Sequence, residues 1–253
     1  GIRDIGVTGV QTCALPIYYI LAVLNSTVTQ ALLGVASPTL DYHEGPLRRI
    51  PFKPDIATNV AEKNVLTLVA LARADWDNFE TSWDFRDLPL LRSGLKGATL
   101  AASWQNWKAH CDAAIRRMQE LETENNRLFI AAYGLEGELQ PEVPEEQITL
   151  AHADQQKDIA AFLSYANGCM MGRYSLDQPG LLLADSRDTQ AAHLAAYEEK
   201  VGKPLSEVQF KPDPDGIIPV LDGEWFEDDI VARTREFLEV TFPASTEIGR
   251  AHV

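Results

Sequence analysis

The strongest pattern in the chain is a stripe of large apolar residues at three- and four-residue steps. Trp104, Trp107, Cys111, Ile115, Met118, Leu121, Leu128, Phe129 and Ala132 fall on one face of an α-helix. They predict a helix over 104–133, capped by Ser103, closed by Gly134 and roughly 45 Å long. Weaker stripes of the same period predict helices over 59–74, 154–171, 188–201 and 227–240. The second of these turns Ile159, Phe162, Leu163, Ala166 and Met170 inward, with Gly172 at its C-cap. Asn25, Ser26 and Thr27 offer N-cap chemistry to a short helix over 28–33 that Gly34 ends. Two stretches read differently. The β-branched and aromatic run at 18–24 suits a buried strand, and 47–52 reads as a short strand with Pro51 on a sheet edge. The expected fold is therefore α+β, mainly helical.

Polar punctuation divides the chain. An acidic, Pro- and Glu-rich stretch at 141–147 marks a domain boundary, which gives segments 18–58, 59–140 and 141–246. Within the middle segment, 75–85 mixes acids with Trp76, Trp83 and Phe85, which suit core packing or stacking on a base. The two ends carry a different signal. A reverse-strand reading of one codon choice for residues 248–253 translates as the residues at 12–17, so 1–17 and 247–253 are expected to be translated sequencing adapter. The apolar run at 14–24 straddles that junction, contains Pro16 and is shorter than the about 20 residues a bilayer requires, so no membrane contact is expected.

Charge changes the picture only once it is divided. The formal net charge is −15. Residues 18–130 carry 13 acids and 12 bases, whereas 131–246 carry 22 acids and 8 bases. Polyanions are gripped by Lys and Arg on their phosphates, so the second half is not expected to face DNA, and double-stranded DNA, if it is bound, is expected to meet the first half. The acidic half suits contact with another protein, or solubility. Cys111 and Cys169 are the cysteines outside the adapter-like ends. Two thiols in a chain this long form no disulfide framework, which fits a cytoplasmic location.

The search for chemistry returns absences. Methylation of an adenine amine requires the base to be flipped and its amine held. An Asp/Asn-Pro-Pro-aromatic loop does this, and none of the 14 prolines here is next to another. The Gly-rich strand-to-helix turn that holds S-adenosylmethionine is missing as well; Gly94, Gly97, Gly134 and Gly137 are wrongly spaced. His110 and Cys111 are helical neighbours that point apart, so no metal site is expected. The turn Asp213-Pro214-Asp215-Gly216 faintly echoes a calcium loop, but Lys211 would fill its first ligand position. No catalytic, cofactor-binding or metal-binding residue is assigned.

Several runs nevertheless resemble a known family. Leu21 to Ser26, Ser37-Pro38-Thr39-Leu40 and Arg49-Ile50-Pro51-Phe52 look like the end of a target-recognition domain. Glu80-Thr81-Ser82-Trp83-Asp84-Phe85, Asn125-Asn126-Arg127, Ala132-Tyr133-Gly134-Leu135 and Gly172-Arg173-Tyr174-Ser175-Leu176-Asp177 are similar to the BREX phage-defence adenine-specific DNA methyltransferases, the PglX family. So are Glu142-Val143-Pro144, Ser164-Tyr165-Ala166 and Glu227-Asp228-Asp229-Ile230. The resemblance implies a C-terminal fragment of such an enzyme: the end of a small mixed target-recognition domain, a helical connector with one long helix, then an acidic helical domain. It also implies that S-adenosylmethionine and the catalytic residues belong to an upstream domain. No catalytic position of the family matches a residue here.

The candidate DNA contacts are then Tyr42, His43, Arg48, Arg49 and Lys53. Arg and Lys grip phosphates or a guanine edge, although the same cations suit a solvated edge strand. Arg173, at a helix C-terminus that repels phosphate, is better placed to cap carbonyls. The alternative function is an acidic helical protein-interaction module without enzymatic role. Other phage-defence proteins would be the partners of the acidic half in either case.

Overall fold

The computed structural model describes residues 14–37, 44–53, 58–184, 190–222 and 225–243. Eight α-helices are found among them: α1 (Ala14–Leu24), α2 (Thr27–Ala36), α3 (Glu44–Leu47), α4 (Thr58–Trp76), α5 (Leu100–Tyr133), α6 (Gln155–Met170), α7 (Gln190–Val201) and α8 (Ile230–Thr241). No strand occurs among the described residues, so the mainly helical expectation stands and the α+β one is corrected, together with the small mixed domain.

Both expected strands are something else. Residues 18–24 lie in α1, with Tyr19, Ala22 and Val23 buried and Ile20 and Leu21 exposed. A short apolar run has no period of its own that separates strand from buried helix, and the helical spacing of its inward residues decides. Residues 47–52 end α3 and continue as turn and irregular chain, in which Ile50 alone is buried. Other boundaries shift. α2 runs through Gly34 to Ala36, because Ser26 caps its start and the Ser37 N–H closes its last turn on the Leu33 carbonyl. α5 starts four residues earlier than expected: Thr99 Oγ1 accepts from the Ala102 N–H, while the Ser103 hydroxyl accepts from Gly97 outside the helix. Its 34 residues span roughly 50 Å. Gly134, at φ 70°, ends it as expected.

The chain divides into two compact units, Gly1–Ala74 with Ala113–Leu150, and Asp75–Asp112 with Ala151–Val253. In the first unit, Phe129 and Ile130 of α5 pack with Tyr19, Ala22 and Val23 of α1, Val28 and Leu33 of α2, and Ala61 and Val65 of α4. About three turns earlier on α5, Ile115 and Met118 meet Val143, Ile148 and Leu150. The bend of 67° between α1 and α2 is held by polar bonds. Asn125 Nδ2 donates to the Ala22 carbonyl at 2.9 Å, and Asn126 Oδ1 accepts from the Thr27 N–H at 3.0 Å. Ser26 and Thr29 hydroxyls donate to the Val23 carbonyl. The last carbonyls of α1 and the first N–H of α2 thus find partners away from water, as buried helix ends require. Among the described residues no single helix is long and apolar enough to cross a membrane; α1 and α2 together pass that test only as this bent pair.

In the second unit, Trp107 and Cys111 of α5 join Phe162, Tyr165, Ala166, Cys169 and Met170 of α6 and Phe237 of α8 in one core with Phe85, Leu88, Leu90, Tyr174, Phe210 and Phe242. Leu163 points out of it, against expectation. Asp154 caps α6 by accepting from the Gln156 and Lys157 N–H groups, and Asp229 caps α8 in the same way. Tyr174 lies stacked on Tyr165 (centroids 5.1 Å apart, planes at 17°) with Phe85 edge-on to both. That close packing leaves no room at Gly168, where a Cβ would lie 2.5 Å from the Tyr174 ring.

Two glycines therefore have opposite roles. Nothing lies within 4 Å of a Cβ at Gly34, inside α2. Gly34→Ala is expected to raise stability by roughly 0.5–1 kcal/mol, and Gly168→Ala to lower it by about 1–3 kcal/mol through overpacking. Chemical denaturation checks both signs.

Candidate nucleic-acid interface

The candidate cations of the first unit lie where α3 leads into the chain at 50–53. Tyr42 and His43 fall outside the described residues. Arg48 is exposed and paired with Glu44 one turn back, at 2.5 Å, with both side chains about three-quarters exposed (77% and 76%). Arg49 beside it is exposed and has no side-chain partner among the described residues. Lys53 is more committed. Its Nζ donates to the Ala132 carbonyl at 2.6 Å and lies 5.1 Å from the Tyr133 ring centroid. It thus places a cation on the negative C-terminal end of α5. Two phenols fasten the same segment: Tyr19 donates to the Lys53 carbonyl and Tyr133 to that of Pro51. Burial raises both phenol pKa values, so both stay protonated donors at neutral pH. The structure thus brings Arg48, Arg49 and Lys53 onto one tethered segment, with two arginines exposed and the lysine largely occupied by the helix end.

The aromatic-acidic stretch separates into three roles. Phe85 is core, Trp83 is fully exposed and Trp76 is more than half exposed. Its polar residues serve the fold. Asp75 accepts from the Ala151 N–H at 3.1 Å, and the Ser82 hydroxyl donates to Asp77 at 2.6 Å. Arg92 holds Asp87 at 2.6 Å and Asn78 at 2.8 Å. Trp104 is half-buried and donates to Asp158 at 3.0 Å; Trp107 is core. Arg173 does not cap α6 with its side chain. Its backbone N–H closes the helix on the Gly168 carbonyl, while its guanidinium turns to Tyr174.

The run Gly172 to Asp177 is a structural knot. The carboxylate of Asp177, 1% exposed, accepts from Lys203 Nζ at 2.7 Å and from the Gln209 N–H at 2.8 Å. The Tyr165 hydroxyl donates to the Ser175 carbonyl. Neither thiol is poised for chemistry. Burial, then the carboxylates of Asp158, Asp75 and Asp112, push Cys111 up to about 12, and burial pushes Cys169 up as well. No group of three or more His, Cys, Asp or Glu among the described residues is placed to hold a metal ion. The Asp213 turn spends its Oδ1 on the Asp215 and Gly216 N–H groups.

No protein-family model matches the chain. Among characterised proteins, it is 34% identical over 229 residues to the adenine-specific methyltransferase PglX of Lacticaseibacillus casei (strain Zhang). It is 31% identical over 243 residues to the adenine-specific methyltransferase BrxX of Escherichia coli O9:H4 (strain HS). These alignments cover 88% and 90% of the chain. Both relatives carry the name adenine-specific methyltransferase. The chain is homologous to a segment of both, spanning 18% and 19% of those relatives' lengths.

Sequence reasoning found the exposed arginines but missed the anchoring of Lys53, since nothing local links residue 53 to a carbonyl at 132. The Asp177 knot yields a pH test. Burial raises its carboxyl pKa, but the Lys203 ammonium and the Gln209 donors outweigh burial and hold it below the usual carboxylate range. A depressed folded value stabilises above the unfolded pKa of about 3.9 and loses that contribution as pH falls through the folded value. Asp177→Asn is expected to lower stability at pH 7 and to flatten the fall in stability below about pH 4. Denaturation at a series of pH values checks this, and parallel curves for the two proteins would contradict it.

Proposed function

We propose that this chain is a non-catalytic, C-terminal part of a site-specific adenine-N6 DNA methyltransferase of phage defence. Its first half contributes to reading the DNA target, and its acidic second half contacts other domains or other defence proteins. The methyl donor, S-adenosylmethionine, and the flipped adenine are held by parts of the enzyme outside this chain, and the enzyme works in the cytoplasm. The observation that carries the reading is the match of about nine-tenths of the chain to part of two adenine-specific methyltransferases.

Physical chemistry supports the division of labour. The near-neutral half holds the exposed pair Arg48 and Arg49, whereas the half from residue 131 onward repels a polyanion. An exposed i,i+4 ion pair such as Arg48–Glu44 is worth about 0–1 kcal/mol. Arg48 therefore exchanges its carboxylate for a phosphate at little cost. Lys53 keeps its stem and ammonium at the same edge, within reach of a phosphate through its remaining N–H groups.

Titration of duplex DNA at several salt concentrations tests this reading. The chain is expected to bind with a slope of log affinity on log salt that becomes shallower by roughly 1–2 in the Arg48→Ala/Arg49→Ala double variant, one phosphate contact per arginine. Binding that is absent even at low salt, or a slope the double variant leaves unchanged, overturns it. A second reading, the acidic interaction module, is favoured by one observation: large apolar side chains stand exposed amid the acids of the second unit.

A further inference from the structure

The segment that carries Arg48 and Arg49 is turn and irregular chain, yet it is fastened along its length within the first unit. Ile50, next to Arg49, is buried in the core with Tyr19, Phe129 and Ile130. The Arg48, Arg49 and Ile50 N–H groups close on carbonyls just before them, those of Glu44, Pro46 and Leu47. Beyond Ile50 the bonds come from distant helices. Tyr133 donates to the Pro51 carbonyl, and Tyr19 donates to that of Lys53 at 2.5 Å. The Lys53 ammonium returns to the Ala132 carbonyl. The neighbouring carbonyls at Ile130 and Ala131 are closed by the Leu135 and Gly134 N–H groups, so Lys53 adds Ala132 to the capped end of α5. Pro51 contributes a fixed φ and no N–H in need of a partner.

A surface loop ordinarily leaves its carbonyls to water and moves. Here phenols from two helices each spend their single donor on one. Both are themselves fixed. The Tyr19 ring is buried against Phe129, with centroids 6.0 Å apart, and Tyr133 is the last residue of α5. A binding segment ordered beforehand avoids the cost of ordering at the moment of contact. We propose that Tyr19 and Tyr133 are positioning residues for DNA binding. Their hydroxyls hold the backbone at 51–53 so that Arg48 and Arg49 meet the phosphates already in place, and each phenol acts through the arginines rather than on the DNA. The proposal rests on the reading of those arginines as phosphate contacts and extends it to the residues that hold them.

The test is a double-mutant cycle on the whole chain, read as the anisotropy of a fluorescent mixed-sequence DNA duplex over a series of salt concentrations. Tyr19→Phe/Tyr133→Phe removes both hydroxyls and keeps both rings, so the Lys53 ammonium keeps its aromatic face. It is expected to weaken binding by about three- to tenfold. The slope of log affinity on log salt is expected to stay unchanged, because no cation is lost. Introduced into Arg48→Ala/Arg49→Ala, the same change is expected to cost less than about twofold, since the groups it positions are gone. A purely structural role would give the same loss in both backgrounds. Circular dichroism melting confirms that each variant is folded at the titration temperature. Tyr133→Phe alone, at a partly buried position, carries the cycle if the double variant melts below it. Arginine-dependent binding that the Phe variant leaves unchanged, or weakens equally with and without the arginines, overturns the positioning role and leaves the DNA reading standing. Binding that is absent at low salt, or indifferent to the arginines, overturns both.

Discussion

The structure depends on burying one face of α5. In the first unit that face supplies Ile115, Met118, Phe129 and Ile130, and in the second it supplies Trp107 and Cys111. Helices this apolar on one side and polar on the other are stable through packing rather than propensity. α1, α2, α4, α6 and α8 are placed by what they contribute to these clusters, whereas Tyr197 and Val201 of α7 pack with Leu183 and Val208 in a cluster of their own. The neighbouring polar positions on α5 do as much to fix geometry as the apolar ones do to fix stability. The Asn125 and Asn126 amides, both buried, occupy the ends of α1 and α2 and set the bend between them.

Several residues in the runs that carry the likeness to PglX-type enzymes serve the fold through the partners they hold. Asn125 and Asn126 satisfy helix ends; Ser82 and Asp77 build a turn; Gly168 and Tyr174 interlock; Asp177 collects an ammonium and a backbone N–H. Their chemistry is that of satisfied buried polar groups, which cost several kcal/mol when orphaned. A likeness built on such residues reports a shared architecture. Arg48, Arg49 and Trp83, by contrast, are exposed.

Much of the helical fold was legible in the sequence, because 3.6-residue periodicity over ten or more residues has few competing interpretations. The α5 stripe, the Asp154 and Gly172 ends of α6 and the C-terminal helix all follow from it. What failed was short or non-local. The run at 18–24 has too few residues to distinguish a buried helix from a buried strand, and Pro51 suggested a sheet edge where a tethered irregular segment stands. Gly34 reads as a helix stop, yet caps on both sides of α2 outweigh its intrinsic cost. At the candidate interface, charge exposed Arg48 and Arg49 to view. The attachment of Lys53 to Ala132 depends on a contact across 79 positions that no local pattern encodes.

The role proposed for this chain is to read DNA on behalf of chemistry done elsewhere in a larger enzyme. The most direct measurement is methyl transfer from S-adenosylmethionine to DNA by the complete polypeptide, with Arg48→Glu/Arg49→Glu introduced in this segment. The account predicts a rise in the DNA concentration needed for half-maximal rate of about tenfold or more, with unchanged affinity for S-adenosylmethionine. Methylation that responds to DNA as before, or a loss of S-adenosylmethionine binding, would contradict it.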